Sequence, residues 1–228
     1  ERTMATHIGI GSQLHPDELT EDSLQGIDHI YMESYLWDHD LTKQTLKKVG
    51  KIAKTMNIET SLSLSDPFCV DRHRDELKEF IEEYVDLVFC NFDEAKMFAQ
   101  SETMADVSAF FQSFGKKIAI TASAEGSYFI HGNTVAHQPA QKIEQVVDTT
   151  GAGDNFAAGF LDQYLSNKTI DEALAQGLSL VQRYRGVKLD ASSSPDALRP
   201  LAAETREFKI QQAFGKALAR KVYEPRDN

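Results

Sequence analysis

The chain has 228 residues, 41% apolar and 26% charged, which suits one sizeable domain with a buried core and excludes wholesale disorder. With 24 Lys and Arg against 35 Asp and Glu the formal charge is −11, a surface that repels phosphate backbones, so neither nucleic acid nor an anionic membrane is an expected partner. No apolar run reaches the ~18 residues of a membrane span, the first residues lack signal-peptide form, and Cys69 and Cys90 form no C-x-x-C pair, which fits a reducing cytoplasm.

In chain order, apolar runs rich in Ile, Val, Leu and Phe alternate with segments of helical period. The runs predict strands at residues 7–14 (HIGIGSQL), 29–37 (HIYMESYLW), 59–65 (ETSLSLS), 85–91 (VDLVFCN) and 117–123 (KIAITAS). Between them the spacing predicts helices over Leu41 to Met56, Arg74 to Tyr84, Asp93 to Gln100 and Ala105 to Phe114. Repeated strand and helix imply a mostly parallel sheet covered by helices, an α/β fold.

Two short strands then flank Gly132-Asn133, a hairpin signal at a sheet edge. Helices follow over about Ala152 to Leu165 and Ile170 to Arg185, the first with Phe156, Phe160, Leu161, Tyr164 and Leu165 along one side as a packing face. Residues 190–200 (DASSSPDALRP) read as a linker, and Phe208, Ile210, Phe214 and Leu218 mark a charged, partly helical tail. The domain division is therefore 1–190 for the core and 191–228 for linker and tail.

The stretch VVDTTGAGDNF, residues 146–156, carries the chemistry. Gly151 and Gly153 let the backbone turn tightly and approach a ligand, and the amides of Gly151, Ala152, Gly153 and Asp154 open a helix whose dipole favours anions, phosphate above all. Asp154 there is either a first-turn acid favoured by that dipole or a base placed beside an anion hole. A P-loop is excluded because no Lys follows Gly153, and a dinucleotide fingerprint fails because Phe156, and Leu14 after Gly9, stand where a small residue is needed. Asn91, Asp93 and Glu94 read on their own as a helix cap with acidic first-turn residues, Thr121 and Gly126 as a turn, and the histidines and acids of WDHDL and VDRHRDE as solvated helix ends.

The segment DTTGAGDNFAAGF (148–160) resembles the C-terminal signature of the ribokinase-like (PfkB) carbohydrate and nucleoside kinases. CNFDEAKMF (90–98) is similar to the family's Asn-x-x-Glu segment, and ITASAEGSYFI (120–130) to its nucleotide loop. ERTMATHIGIG, YMESYLWD and LSLSDPFCVDRHR look closest to the adenosine-kinase-like branch. The resemblance implies a three-layer α/β/α ribokinase-like fold and ATP-dependent phosphorylation of a primary hydroxyl on a small nucleoside or sugar, adenosine first, ribose or fructose next.

Carried over by position, it makes Asp154 the general base and the Gly151, Ala152 and Gly153 amides the anion hole. Asn91 and Glu94 would place magnesium through water. Thr121, Ser123 (where the family usually has Gly) and Gly126 would form the nucleotide loop, and Asp148 and Thr150 would hold a monovalent cation, potassium. It also implies that the family's di-glycine motif, most acceptor contacts and the β-lid of a homodimer precede Glu1, so the chain reads as part of a longer kinase. A nucleotide-binding fragment or non-catalytic relative, and a scaffold using the acidic surface, stand as the other readings.

Overall fold

The computed structural model describes residues 9–142, 149 and 151–185. The chain divides into two units, Glu1–Ala122 with Tyr128–Val135, and Ser123–Ser127 with Ala136–Asn228. Residues 191–228, expected to be linker and tail, lie outside the described residues.

In the first unit β1 (His29–Glu33), β2 (Glu59–Ser63), β3 (Leu87–Asn91) and β4 (Lys117–Thr121) lie side by side, all parallel. Parallel neighbours need long crossovers. Helix α1 (Asp40–Met56) joins β1 to β2, α2 (Pro67–Tyr84) joins β2 to β3, and α3 (Phe92–Ala99) with α4 (Met104–Phe114) joins β3 to β4. β3 is buried along LVFC, so it reads as a continuous apolar run rather than an alternation. Strands β5 (Ser127–His131) and β6 (Thr134–Gln138) complete a six-stranded sheet in the order β1 to β6. Only Gly132 and Asn133 link β5 to β6, too short a connection for a crossover, so this pair runs antiparallel. The result is the mostly parallel α/β sheet with helices that the sequence predicts.

The core of the first unit has Leu62, Leu64, Leu77, Ile81 and Ile118 at 0% exposure. Phe98 of α3 stacks on Phe111 of α4 at 6.0 Å and meets Phe110 and Phe114 edge-on, so the two helices of one crossover share an aromatic cluster. In the second unit α5 (Ala152–Tyr164) and α6 (Ile170–Arg185) pack closely on each other.

Three expectations change. The strand over 7–14 is not one, because Gly9–Gln13 forms a 3₁₀ turn, with Gly9 at φ 63° and Ser12 Oγ donating to the Gly9 carbonyl at 2.8 Å. The strand over 29–37 stops at Glu33, and Ser34–Asp38 turns as a 3₁₀ helix held where Thr42 Oγ1 donates to the Leu36 carbonyl. Helix α2 begins at Pro67 rather than Arg74, since Asp66 Oδ1 accepts from the Phe68 amide at 3.0 Å and proline suits a first helical position.

Candidate active site

In open α/β sheets ligands bind beyond the carboxyl ends of the parallel strands, and β3 and β4 deliver two sequence-predicted residues there side by side. Asn91 closes β3 and is the register partner of Thr121, which closes β4. Asn91 is also the N-cap of α3. Its Oδ1 accepts from the Glu94 amide at 2.9 Å, while Glu94 Oε2 accepts from the Asn91 amide at 2.9 Å and Oε1 from Asn91 Nδ2 at 2.6 Å. The cap reading of this pair is therefore realised in the structure, with Asp93 turned away to pair with Lys96 at 3.0 Å.

Asn91 stays exposed whereas Glu94 is 5% exposed. Burial pushes the Glu94 carboxyl up to about 7; the Asn91 amide opposes this, and the negative charges of Asp66, Glu33 and Asp93 add to it. An incoming cation would hold Glu94 ionised. Both of its oxygens already accept hydrogen bonds, so the pair fits a hard cation held through water and not direct ligation. Among the described residues no group of three or more His, Cys, Asp or Glu is placed to hold a metal ion.

Ser123 and Gly126, expected to belong to a nucleotide loop, form one tight turn in the second unit. Ser123 opens a 3₁₀ turn, Ser123–Glu125, at φ 48°, a left-handed value that glycine adopts freely, which accounts physically for the family's preference there. Gly126 follows at φ 103°, its amide donating to the Ser123 carbonyl at 3.3 Å. A Cβ on Gly126 would stand 2.1 Å from the Gln138 carbonyl oxygen, so only glycine fits.

Gly151 caps α5 at φ 71° and ψ 10° with no side-chain hydrogen bond at the cap. The Ala152 amide, expected to point outward, donates to the Thr149 carbonyl at 3.1 Å because the turn folds back on itself, so it is not a free donor for an anion. Space around Gly153 is open, and Asp154 lies exposed in the first turn. Asn155, which the sequence reading passed over, holds the turn: its amide and its Nδ2 both donate to the Gly151 carbonyl, at 3.0 and 2.8 Å. Its place inside the motif was the available signal. Asp148 and Thr150 lie outside the described residues.

Phe68 was also passed over. It stands at the head of α2, just past the carboxyl end of β2, and is 73% exposed, an apolar ring presented to solvent. The residues that tempt a metal assignment pair among themselves instead: Asp38 accepts from Arg72 Nη2 at 2.7 Å and lies 2.9 Å from His73 Nε2. A cleft of about 650 Å³ between α2 and α3 is lined by Arg72, His73, Asp93 and Lys96 among others and includes none of Asn91, Glu94 and Asp154.

The pfkB family carbohydrate kinase pattern matches residues 1–184. The chain is 32% identical over 109 residues to a cytidine kinase of Thermococcus kodakarensis, covering 47% of this chain and 39% of that protein. Among solved structures, the adenosine kinase of Sinorhizobium meliloti superposes with a TM-score of 0.75 at 33% identity, covering 84% of this chain and 59% of that one. A probable sugar kinase of Rhizobium etli gives 0.74 at 30%, covering 83% and 58%. The chain thus spans between two fifths and three fifths of the length of these relatives. By the extent of the family match and these likenesses, this chain belongs to the pfkB family of carbohydrate kinases.

Proposed function

We propose that the chain supplies the phosphoryl-transfer part of an ATP-dependent kinase acting on a primary hydroxyl of a nucleoside or sugar. The observation that carries this is the head of α5: an exposed Asp154 in the first turn of a helix capped by Gly151, with open space around Gly153. Asp154 takes the proton from the acceptor hydroxyl as its oxygen bonds the γ-phosphorus; the bond from that phosphorus to the bridging oxygen breaks, and ADP leaves. The amides of Gly151 and Gly153, with Ala152 shaping the turn between them, steady charge on the transferring group.

Asn91 and Glu94 would hold, through water, a magnesium ion carried on the phosphates of ATP, which would supply charge neutralisation there. Thr121, Ser123 and Gly126 would receive the nucleotide, and Asp148 and Thr150 would hold potassium. Adenosine is the first acceptor, in keeping with the likeness to the Sinorhizobium meliloti adenosine kinase; ribose and fructose are the alternative acceptors. A cytoplasmic homodimer closed by a lid belongs to the same reading. No helix among the described residues is long and apolar enough to cross a membrane.

The test is ADP release with ATP, magnesium and potassium, comparing adenosine, ribose and fructose with no acceptor, and repeated with Asp154→Asn. Removing a general base costs about 10²–10⁴-fold in rate. Full turnover in that variant, with nucleotide binding unchanged, would remove the assigned role from Asp154. A second reading, nucleotide binding without turnover, predicts ATP binding with no phosphorylated product from any acceptor.

A further inference from the structure

At the amino edge of the sheet, opposite the carboxyl ends that carry Asn91 and Thr121, lies a buried titratable group that phosphoryl transfer does not use. His29 opens β1 and is the register partner of Glu59, which opens β2. Its side chain is 2% exposed. Nε2 lies 2.8 Å from Ser61 Oγ. Nδ1 is buried without a hydrogen-bond partner, 3.9 Å from Glu59 Oε2. Glu59 meanwhile accepts from Lys117 Nζ, at the start of β4, at 3.0 Å.

Nδ1 is unpartnered in either neutral tautomer: with Nε2–H donating to Ser61 its lone pair faces a carboxylate, and with Ser61 donating to Nε2 its N–H stands beyond hydrogen-bond range of Glu59 at 3.9 Å. An unpaired buried nitrogen of this kind is costly and uncommon. Adding a proton at Nδ1 replaces that conflict with a charge-assisted contact to Glu59, but only by placing a cation in a dry site.

We propose that His29 is a proton-operated joint, and that protonation at Nδ1 loosens the edge of the sheet where β1 meets β2. The charged groups facing it are Glu59 on β2, Asp86 in the turn before β3, and Lys117 on β4. Burial dominates: it lowers the proton affinity of the ring below the usual histidine value of 6.5, Lys117 lowers it further, and the two carboxylates only partly restore it. As pH falls through the unfolded value, the unfolded chain takes the proton first. Stability supplied by a neutral His29 is therefore complete above that value and is lost as pH falls toward the lower folded value.

The experiment follows thermal unfolding of the whole chain from about pH 8 to about pH 5, together with the His29 ring resonance by NMR, in the wild type, His29→Gln and Glu59→Gln. Measured against His29→Gln, whose amide can still bond Ser61, the wild type should lose a few degrees of Tm on acidification, while Glu94 acts in the opposite direction in both proteins. In Glu59→Gln the His29 midpoint should move lower still, because the nearest carboxylate no longer favours the cation. Glu94 titrates in an overlapping range but is common to all three proteins and cancels in the comparison. A His29 midpoint at or above the ordinary histidine value would overturn the proposal, and so would one that Glu59→Gln leaves unmoved. If His29→Gln does not fold, the Glu59→Gln resonance decides alone.

Discussion

Asn91 and Glu94 cap each other: the amide of each is bonded by the other's side chain at 2.9 Å, and the exposed partner belongs to the strand end while the buried one belongs to the helix. One motif thereby fixes the exit of β3, starts α3 and keeps a carboxyl group under cover at the carboxyl end of the strand. Replacing Asn91 with Ala removes the cap and leaves Glu94 without its donor side chain. The loss should be about 1–2 kcal/mol of stability, read as a fall in Tm.

Glu94 also gives a signed pH dependence for the metal-free protein. Its folded value of about 7 stands above the unfolded 4.5, so the folded state binds the proton more tightly. Between those two values stability falls as pH rises, by on the order of 3 kcal/mol at most. Glu94→Gln can still accept from the Asn91 amide, loses the bond from Asn91 Nδ2 and removes the titration, so unfolding measured against pH in a chelator should flatten over that window. An unchanged slope would mean the carboxyl is better solvated than its burial implies.

The turn from Ser123 to Gly126 makes two opposite predictions. At Ser123, φ 48° costs a non-glycine residue about 1–2 kcal/mol, and Ser123→Gly recovers this against about 0.5–1 kcal/mol of extra freedom in the unfolded chain. A small rise in Tm is the expected result. Gly126→Ala instead drives a methyl to 2.1 Å from a backbone oxygen that no rotamer change can move. It should cost more than about 3 kcal/mol and weaken ATP binding, which calorimetry on the two variants would separate.

Phe68 separates affinity from stability. At 73% exposure its ring contributes little to the fold, so Phe68→Ala should leave Tm nearly unchanged. Flat apolar surface beside the carboxyl ends of the strands suits the face of a nucleobase. KM for a nucleoside acceptor should then rise by about tenfold while kcat changes less, a loss of about 1–2 kcal/mol of stacking. Equal KM values would place the base elsewhere.

Much of this was legible in the sequence, for physical reasons that also mark where the reading stops. β3 and β4 announce themselves because both are buried on two faces and so carry unbroken apolar runs. The first turns of α2 were missed because the helix departs from helical geometry at His73 (φ −125°, ψ 15°), which breaks the apolar period between its two halves. Residues 9–13 alternate like a strand, yet Gly9 and the Ser12 side chain favour a local turn that periodicity does not register. At the site, residue types pointed to Asn91, Glu94 and Asp154. That the Ala152 amide is taken up by Thr149, and that Asn155 binds the cap carbonyl, depends on the path of the backbone, which composition does not encode.

Asn155 offers the sharpest test of how the motif is built. Both its amide and its Nδ2 donate to the Gly151 carbonyl, so its side chain braces the left-handed glycine from inside the helix while Asp154, one residue earlier, faces solvent. Asn155→Ala leaves the backbone bond in place and removes only the brace, at a cost of about 0.5–1.5 kcal/mol. Stability should fall slightly. If the brace sets where Asp154 and the Gly153 amide stand relative to a phosphoryl group, kcat should fall by at least about tenfold, because reaction rate is far more sensitive than binding to small displacements of the catalytic groups. KM for ATP should hardly move. Asn155→Asp tests the same point from the other side: the acid accepts where the amide donated, so it repels the carbonyl that Asn155 holds and should lower kcat further than alanine does. Equal turnover in both variants and the wild type would make Asn155 a stabiliser of α5 with no part in aligning the site.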